Sequence, residues 1–343
     1  MKFIHTADLH LGRFYKGELP LEIAKIRREE LWKNFENIVK YASEKNVDFL
    51  LISGDIYERE YFTLDDMNRF ASIINTLEDI KVFIIAGNHD YIDKNTLYNK
   101  VRFNKNIYIF KSKEYFDIDE LKLRVHGISW DRDIDFSKDL DFEIKDDYKN
   151  ILLIHGSVSG KDYFPIDLDK IKNFDYIALG HIHLREKVKE NAYYPGSPEG
   201  LNFKEVGERG FLEIHLKDKL DVKFTNNQIR KYNVFNIEIN KKESILEINN
   251  KIKDILSSYK KDLNRIILVG EYENPKYLEN SILLDSEYFY TEIINELSKS
   301  YSIEDLYLEN KENIIGKVIE DLSEDREALN IAIEALMEAQ NEN

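Results

Sequence analysis

The chain contains no cysteine, which excludes a disulfide framework and any zinc site built on thiolates. No apolar run approaches the roughly 20 residues that a membrane helix requires. The opening stretch MKFIHTADLHLG is interrupted by His5 and Asp8, too early to form the apolar region of a signal peptide. These absences lead to the expectation of a soluble protein that stays in the cytoplasm. Positive charge is also short: 49 Lys and Arg against 65 Asp and Glu give a formal charge of −16. That balance argues against a broadly basic protein that coats nucleic acid. A polyanionic substrate must then be met by local positive charge, and bound divalent cations are its strongest source.

What is present is a globular composition, 43% hydrophobic and 33% charged over 343 residues, enough for one large α/β unit and a smaller one. Seven short apolar runs predict strands: 2–7, 47–54, 81–87, 123–129, 150–156, 175–181 and 209–216. Between them, 22–44 and 64–77 carry apolar residues at helical spacing, including Leu31, Phe35 and Ile38 in the first and Met67, Phe70 and Ile74 in the second. From about Tyr232 the pattern changes. YNVFNIEIN alternates like an edge strand, a helix follows over 244–259, and RIILVGEY returns as a strand, a small β-α-β unit. Residues 313–322 and 323–340 read as tail helices, with Ser323 as N-cap and Leu329, Ile333, Leu336 and Met337 on one face. The domains expected are 1–230, an α/β cap at 231–311, and a helical tail at 312–343 that either docks on its own core or binds a partner.

The chemistry gathers where apolar strands stop. In KVFIIAGNHDY, residues 81–91, a run of strand length ends by delivering Asn88, His89 and Asp90 together. Asp8 and His10 follow the first strand, Asp55 the second, His155 ends NILLIH, and His181 and His183 end DYIALGHIH. In layered α/β proteins the carboxyl ends of the strands meet on one rim, where ligands bind. A lone histidine on a strand is ordinarily structural and an aspartate after one ordinarily forms a turn. The ordered series is a different signal. Carboxylate, imidazole and amide oxygen without thiol suit manganese, iron or zinc, and the two oxygens of Asp55 can bridge a pair of ions about 4 Å apart.

The motifs ADLHLG, SGDIYE, AGNHDY, LIHGS and LGHIH resemble those of the calcineurin-like metallophosphoesterases, over residues 1 to about 216. HTADLHLG, YYPGSPEGLNFKEVGERGF at 193–211, and a small cap followed by a helical tail make the chain similar to the SbcD-type DNA repair nucleases, which work with an SMC-like ATPase. The resemblance implies a four-layer α-β-β-α sandwich of two facing sheets flanked by helices. It implies two divalent ions, manganese first, one held by Asp8, His10, Asp55 and His183 and the other by Asp55, Asn88, His155 and His181. It leaves His89 without metal, free to protonate the leaving oxygen or stabilise charge on the phosphate. Asp90 would orient its neighbours. The implied reaction is hydrolysis of DNA phosphodiesters by a hydroxide bridging the two ions, with exonuclease or endonuclease action, an SbcC-type ATPase as partner and a homodimer as the assembly. One departure stands out: many such nucleases carry a histidine three residues after the bridging aspartate, where this chain has Glu58. A carboxylate there repels a phosphodiester unless it binds metal or turns away.

The remaining candidates have plainer readings beside functional ones. GSVSGKD at 156–162 has three residues between its glycines where a phosphate loop has four, and no Ser or Thr after Lys161, so it reads as an ordinary loop. His5, His126 and His215 lie inside strands and read as structural. Arg13, Tyr15 and Lys16, and Lys100, Arg102 and Lys105, are candidates to grip a phosphate backbone. Trp130, Tyr193 and Tyr194 can stack on bases, with core packing the commoner use. The competing function is a phosphatase or cyclic-nucleotide phosphodiesterase using the same metals, although GDIYERE lacks the GD-x-V-D-R-G of phosphoprotein phosphatases. A third reading makes the chain chiefly a tether for an ATPase through 312–343.

Overall fold

A computed structural model describes residues 1–131, 140–158, 165–284, 286–299, 303–323, 325, 328–329, 331–333 and 335–336. Two compact units emerge, Met1–Asn233 and Val234–Asn343. The first runs β1 (Lys2–Thr6), α1 (Leu21–Glu44), β2 (Phe49–Ser53), α2 (Leu64–Ile74), β3 (Lys81–Ile85), β4 (Ile107–Ile109), β5 (Lys113–Ile118), β6 (Leu123–Ile128), β7 (Lys149–His155), β8 (Tyr176–Gly180), β9 (Glu186–Lys189), β10 (Ala192–Tyr194), β11 (Gly210–Leu216) and β12 (Leu220–Asn226). These strands form two six-stranded sheets, ordered β12-β11-β1-β2-β3-β4 and β5-β6-β7-β8-β10-β9. Strands β1, β2 and β3 are mutually parallel, as are β6, β7 and β8. The carboxyl ends that carry the polar motifs therefore point the same way within each sheet.

Alternation of side chains across each strand builds the layers. On one face of the first sheet Phe3, Phe49, Leu51 and Phe83 meet Val125, Ile151, Leu153 and Ala178 of the second in a shared core. On its other face Ile4, Leu50, Ile52 and Val82 pack on Leu31, Phe35 and Ile38 of α1 and on Phe70 and Ile74 of α2. β2 is buried along its whole length, which is why FLLIS reads as a continuous apolar run. Helix α2 starts at a reciprocal cap: Thr63 Oγ1 accepts from Asp66 N at 3.1 Å, and Asp66 Oδ2 accepts from Thr63 N at 3.0 Å.

The expected outer helical layer on the second sheet is not seen among the described residues. Leu152, Ile154, Ile177 and Leu179 are covered there by Leu140, Ile166, Leu168, Ile171 and Phe174, all in turns and irregular chain. Asp167 Oδ1 accepts from Asp169 N at 3.0 Å, an Asx-turn that bends the chain just after Pro165. Lys161 and residues 337–343, with Met337 of the tail, lie outside the described residues. Short or half-exposed strands such as β4, β9 and β12 carried too little periodicity to be predicted.

The second unit contains β13 (Tyr232–Ile239), α3 (Ile245–Leu256), β14 (Leu263–Tyr272), α4 (Pro275–Ser281), β15 (Tyr290–Lys299), α5 (Ile303–Asn310) and α6 (Ile314–Asp321), with β13 entering it from the end of the first. Its sheet is β13-β14-β15, with β14 and β15 parallel. β15 extends the expected β-α-β by one strand. Ser244 and Glu247 close a capping box at the start of α3. Leu329, Ile333 and Leu336 pack with Leu306 of α5 and Ile315 and Ile319 of α6 in a small separate cluster. No described helix is long and apolar enough to cross a membrane.

The interior histidines occupy packed positions. His5 Nδ1 lies 2.9 Å from the Tyr176 hydroxyl and Nε2 3.1 Å from Ser53 Oγ, and burial pushes its imidazole down to about 3. Burial, with Arg124 adding to it, lowers His126 to about 4. Both rings are neutral in the fold, while in the unfolded chain they take up a proton near their ordinary 6.5. The stability they contribute is complete above that value and is lost as pH falls toward their folded values, with a slope approaching ~1.4 kcal/mol per pH unit for each ring. Urea unfolding in metal-free buffer is expected to show the midpoint falling from pH 7 to pH 5, with a shallower fall in His126→Leu. An unchanged slope in that variant would remove His126 from the account.

Candidate metal centre

The polar strand ends meet on one rim, held by backbone that few residues adopt. Asp8, His10, Asp55 and His181 all have positive φ, at 55°, 44°, 51° and 97°. Non-glycine residues in this region are uncommon and concentrate where function over-determines the backbone. The first two loops zip together: Asp8 N bonds Gly54 O, His10 N bonds Asp55 O, and Leu11 N bonds Ile56 O at 2.8–3.0 Å. Asp8, His10, Asp55 and His155 are buried, each no more than 1% exposed. His89 is the accessible member, with 43% of its side chain open to solvent.

Three clusters share this space: Asp8, His10 and His183; Asp55, His155 and His181; and His10, Glu58 and His89. In the first, His10 Nε2 faces His183 Nε2 at 3.1 Å. The far nitrogen of each ring is already committed, His10 Nδ1 to Glu58 at 2.9 Å and His183 Nδ1 to Glu205 at 2.9 Å. Carboxylates only accept, so these Nδ1 atoms donate and both Nε2 atoms present lone pairs to each other. In the second cluster His155 Nδ1 donates to Ser53 O at 2.8 Å, while its Nε2 lies 3.3 Å from Asp55 Oδ2 and 3.1 Å from Asn88 Oδ1. Asn88 Oδ1 is also 3.1 Å from His181 Nδ1. Asp55 Oδ2 is 3.8 Å from His10 Nε2, so this carboxylate touches both groups. Acceptors that converge at roughly 3 Å, with their outer nitrogens oriented by carboxylates and a carbonyl, are what ligands around cations at about 2.0–2.2 Å look like. The donor set fits divalent metal.

The electrostatics follow from burial and proximity. Burial alone would raise Asp55, but His155 beside it, with His10 and His89, holds its carboxyl far below the usual range. Asp8 is raised by burial, against the pull of His183 and His155. Burial, and then Asp55 nearby, lifts Asp90 to about 6. Asp90 is fully buried and accepts from Gly87 N at 2.6 Å, Asp55 N at 3.2 Å, Ile56 N at 3.0 Å and the Tyr98 hydroxyl at 2.6 Å. One carboxylate thus ties the loop after β2 to the loop after β3. The hydrogen bond from His89 Nδ1 to Glu58 Oε2, 2.8 Å long, is the main cause raising His89 to about 9.

Glu58 therefore turns away from any phosphate. Its two oxygens hold His10 and His89, and Arg13 Nη1 approaches Oε1 at 3.4 Å. The third cluster is no further metal group on this geometry, because His10 Nδ1 is occupied by its proton. Arg13 is engaged by Glu18 as well, at 3.1 Å. Tyr15 does not reach substrate: it is 1% exposed, with its ring 5.4 Å from the Arg13 guanidinium. Arg102 and Lys105 lie beside the amino end of β3, where Asn75 Nδ2 bonds Arg102 O and Val82 N bonds Asn106 O, the rim opposite Asn88. Tyr194 is buried with its hydroxyl on Gly156 O, and Tyr193 stacks on Tyr176 at 5.8 Å. Trp130 Nε1 donates to His155 O at 2.7 Å. Glu205 was not singled out by sequence; it lies inside the 193–211 stretch, but nothing local marks it as the partner of His183.

Glycines keep the strand ends close. A Cβ on Gly180 would lie 1.9 Å from Ser53 O and 2.7 Å from His155 Nδ1, and one on Gly87 would lie 2.3 Å from Asp55 Oδ1. Gly17, by contrast, has open space around it at φ +75°. Gly180→Ala is expected to destabilise by about 3 kcal/mol or more, at the upper end of overpacking because the Cβ meets sheet backbone, and Gly17→Ala by about 1–2 kcal/mol, the cost of left-handed backbone alone, as read by urea unfolding. Equal costs would mean that the sheets are not pressed together here.

A family model described as calcineurin-like phosphoesterase matches residues 1–185. The chain is also similar to the uncharacterized metallophosphoesterase YhaO of Bacillus subtilis (strain 168), 27% identical over 236 residues, 63% of this chain and 57% of that protein. It thus spans little more than half the length of this relative. With the family match reaching over half of the chain and ending just past His183, the protein belongs to the calcineurin-like phosphoesterases, hydrolases of phosphoesters that use divalent metal ions.

Proposed function

We propose that the chain is the nuclease subunit of an SbcCD-type complex, hydrolysing DNA phosphodiesters with two divalent ions, manganese first. Asp8, His10, Asp55 and His183 would hold one ion, and Asp55, Asn88, His155 and His181 the other. Bound there, the pair supplies positive charge against the phosphate and makes a water acidic enough to attack it. The observation that carries the metal reading is the convergence of electron-pair acceptors around Asp55, which touches both groups. The DNA reading draws its support from the SbcD-like motifs and the second unit with its helical tail, which would dock an SMC-like ATPase, with a homodimer as the assembly.

The chain's own residues divide the remaining work. His89 stands open to solvent and, with Nδ1 fixed by Glu58, offers Nε2 to the leaving oxygen. Asp55 Oδ1 accepts from His89 N at 2.8 Å, so the carboxylate between the groups also sets the backbone of this histidine. Asp90 holds the loops of Asp55 and Asn88 in register.

A second reading, hydrolysis of a small phosphoester, is favoured by the net charge of −16, which disfavours a long polyanion. Manganese-loaded protein, alone and with its ATPase, is expected to cut single- or double-stranded DNA faster than p-nitrophenyl phosphate; the reverse preference selects the small-substrate reading. His89→Ala should keep its metal content and lose about 10²–10⁴ in turnover, while Asp55→Ala should lose both. Retention of full metal content by Asp55→Ala would contradict the assignment.

A further inference from the structure

Residues 196–205 hold His183 at both ends, through Ser197 and Glu205, and between them reach the chain leading to the second unit through Glu199. At Glu205, Oε1 holds His183 Nδ1 at 2.9 Å and takes Asn202 Nδ2 at 3.1 Å, while Oε2 accepts from Leu201 N at 3.1 Å and Ser197 Oγ at 3.2 Å. The same segment presses on the backbone of His183. Ser197 N donates to His183 O at 3.1 Å, and a Cβ on Gly196, at φ +76°, would fall 2.7 Å from that oxygen. His183 is thus gripped at its ring and at its carbonyl by one short stretch.

The other anchor is Glu199, 1% exposed. It accepts from Arg27 Nη1 and Nη2 at 3.1 and 3.0 Å and from Asn34 Nδ2 at 3.0 Å. It also accepts from the backbone N–H of Ile229 at 2.8 Å and of Arg230 at 3.1 Å. Arg27 is fully buried and adds a bond to Gly200 O at 2.9 Å. Asn34 further exchanges hydrogen bonds with Asn227. Residues 227–230 run directly into β13, along which the chain enters the second unit at Val234. Breaking either partner of such a buried ion pair leaves an uncompensated charge, so the anchor is stiff.

We propose that 196–205 is a positioning segment that couples the metal centre to the root of the second unit: Glu205 sets the ring of His183, and Glu199 fastens the same segment to residues 229–230. Whatever displaces the root of β13 then shifts a metal ligand, and metal uptake reciprocally stiffens that root. Glu205 acts through His183 and touches no reacting atom. The proposal rests on the metal reading above.

Hydrogen exchange on the full chain with and without manganese chloride, beside calorimetric titration of manganese, tests it. Manganese is expected to slow exchange at the Ile229 and Arg230 amides of the wild-type protein. Glu205→Gln should weaken manganese binding about 10–100-fold and abolish that slowing. Glu199→Gln, shown folded by its thermal transition, should weaken binding in the same direction although it contacts no ligand. Manganese uptake by the wild-type chain with no change at residues 229–230, or Glu205→Gln binding as tightly as wild type, overturns the coupling. No manganese uptake by the wild-type chain overturns the metal reading itself.

Discussion

Electron-pair acceptors that face one another in a buried space repel unless a cation sits among them, and this constraint organises the first unit. His10 Nε2 and His183 Nε2 meet at 3.1 Å, and His155 Nε2 lies 3.3 Å from Asp55, which lifts that imidazole to about 9 against the effect of burial, so that a proton holds the place a metal ion would take. The outer nitrogens are held by Glu58, Glu205 and Ser53 O, which aims the inner ones into the site. The fold therefore concentrates unfavourable interactions at one rim and balances them with the parallel sheets beneath. Two parallel strand sets put their carboxyl ends side by side, positive-φ backbone at four site residues aims the side chains, and glycines at 54, 87 and 180 let the rims close to contact distance.

Around that centre lies a shell of carboxylates that do not face it. Asp90 ties two loops together through backbone N–H groups, Glu58 orients two imidazoles, and Glu205 orients a third. Each is substantially buried and each has its oxygens occupied. The excess of acid in the composition is therefore misleading if read only as repulsion of a phosphate substrate. Part of it is structural negative charge that keeps imidazole nitrogens in the tautomer a metal needs.

Much of this was legible in sequence because it is local. A strand long enough to be apolar on both faces, followed at once by Asp, Asn or His, places the side chain at a sheet rim whatever the rest of the chain does, so Asp8, Asp55, Asn88, His155 and His181 could be read from their neighbours. What escaped depends on partners distant in sequence. Glu199 meets Arg27 across 172 residues, and no spacing rule reports such a contact. Tyr15 misled because its neighbours are charged while its ring is drawn into the buried Arg27 and Tyr232 environment. The outer helical layer of the second sheet was implied by resemblance alone, and among the described residues 166–174 cover that face as turns. β15 was missed because TEIINELSK fits helix and strand templates alike, and only its pairing along β14 decides.

In the proposed mechanism Asp55 stands between two cations. Diffraction from crystals soaked in manganese chloride, recorded with anomalous signal at the manganese edge, tests this directly. The account predicts two peaks, each within about 2.0–2.3 Å of an Asp55 oxygen, one among Asp8, His10 and His183 and the other among Asn88, His155 and His181. A map with no peak in contact with Asp55, or with a peak seated at Glu58 instead, would contradict it.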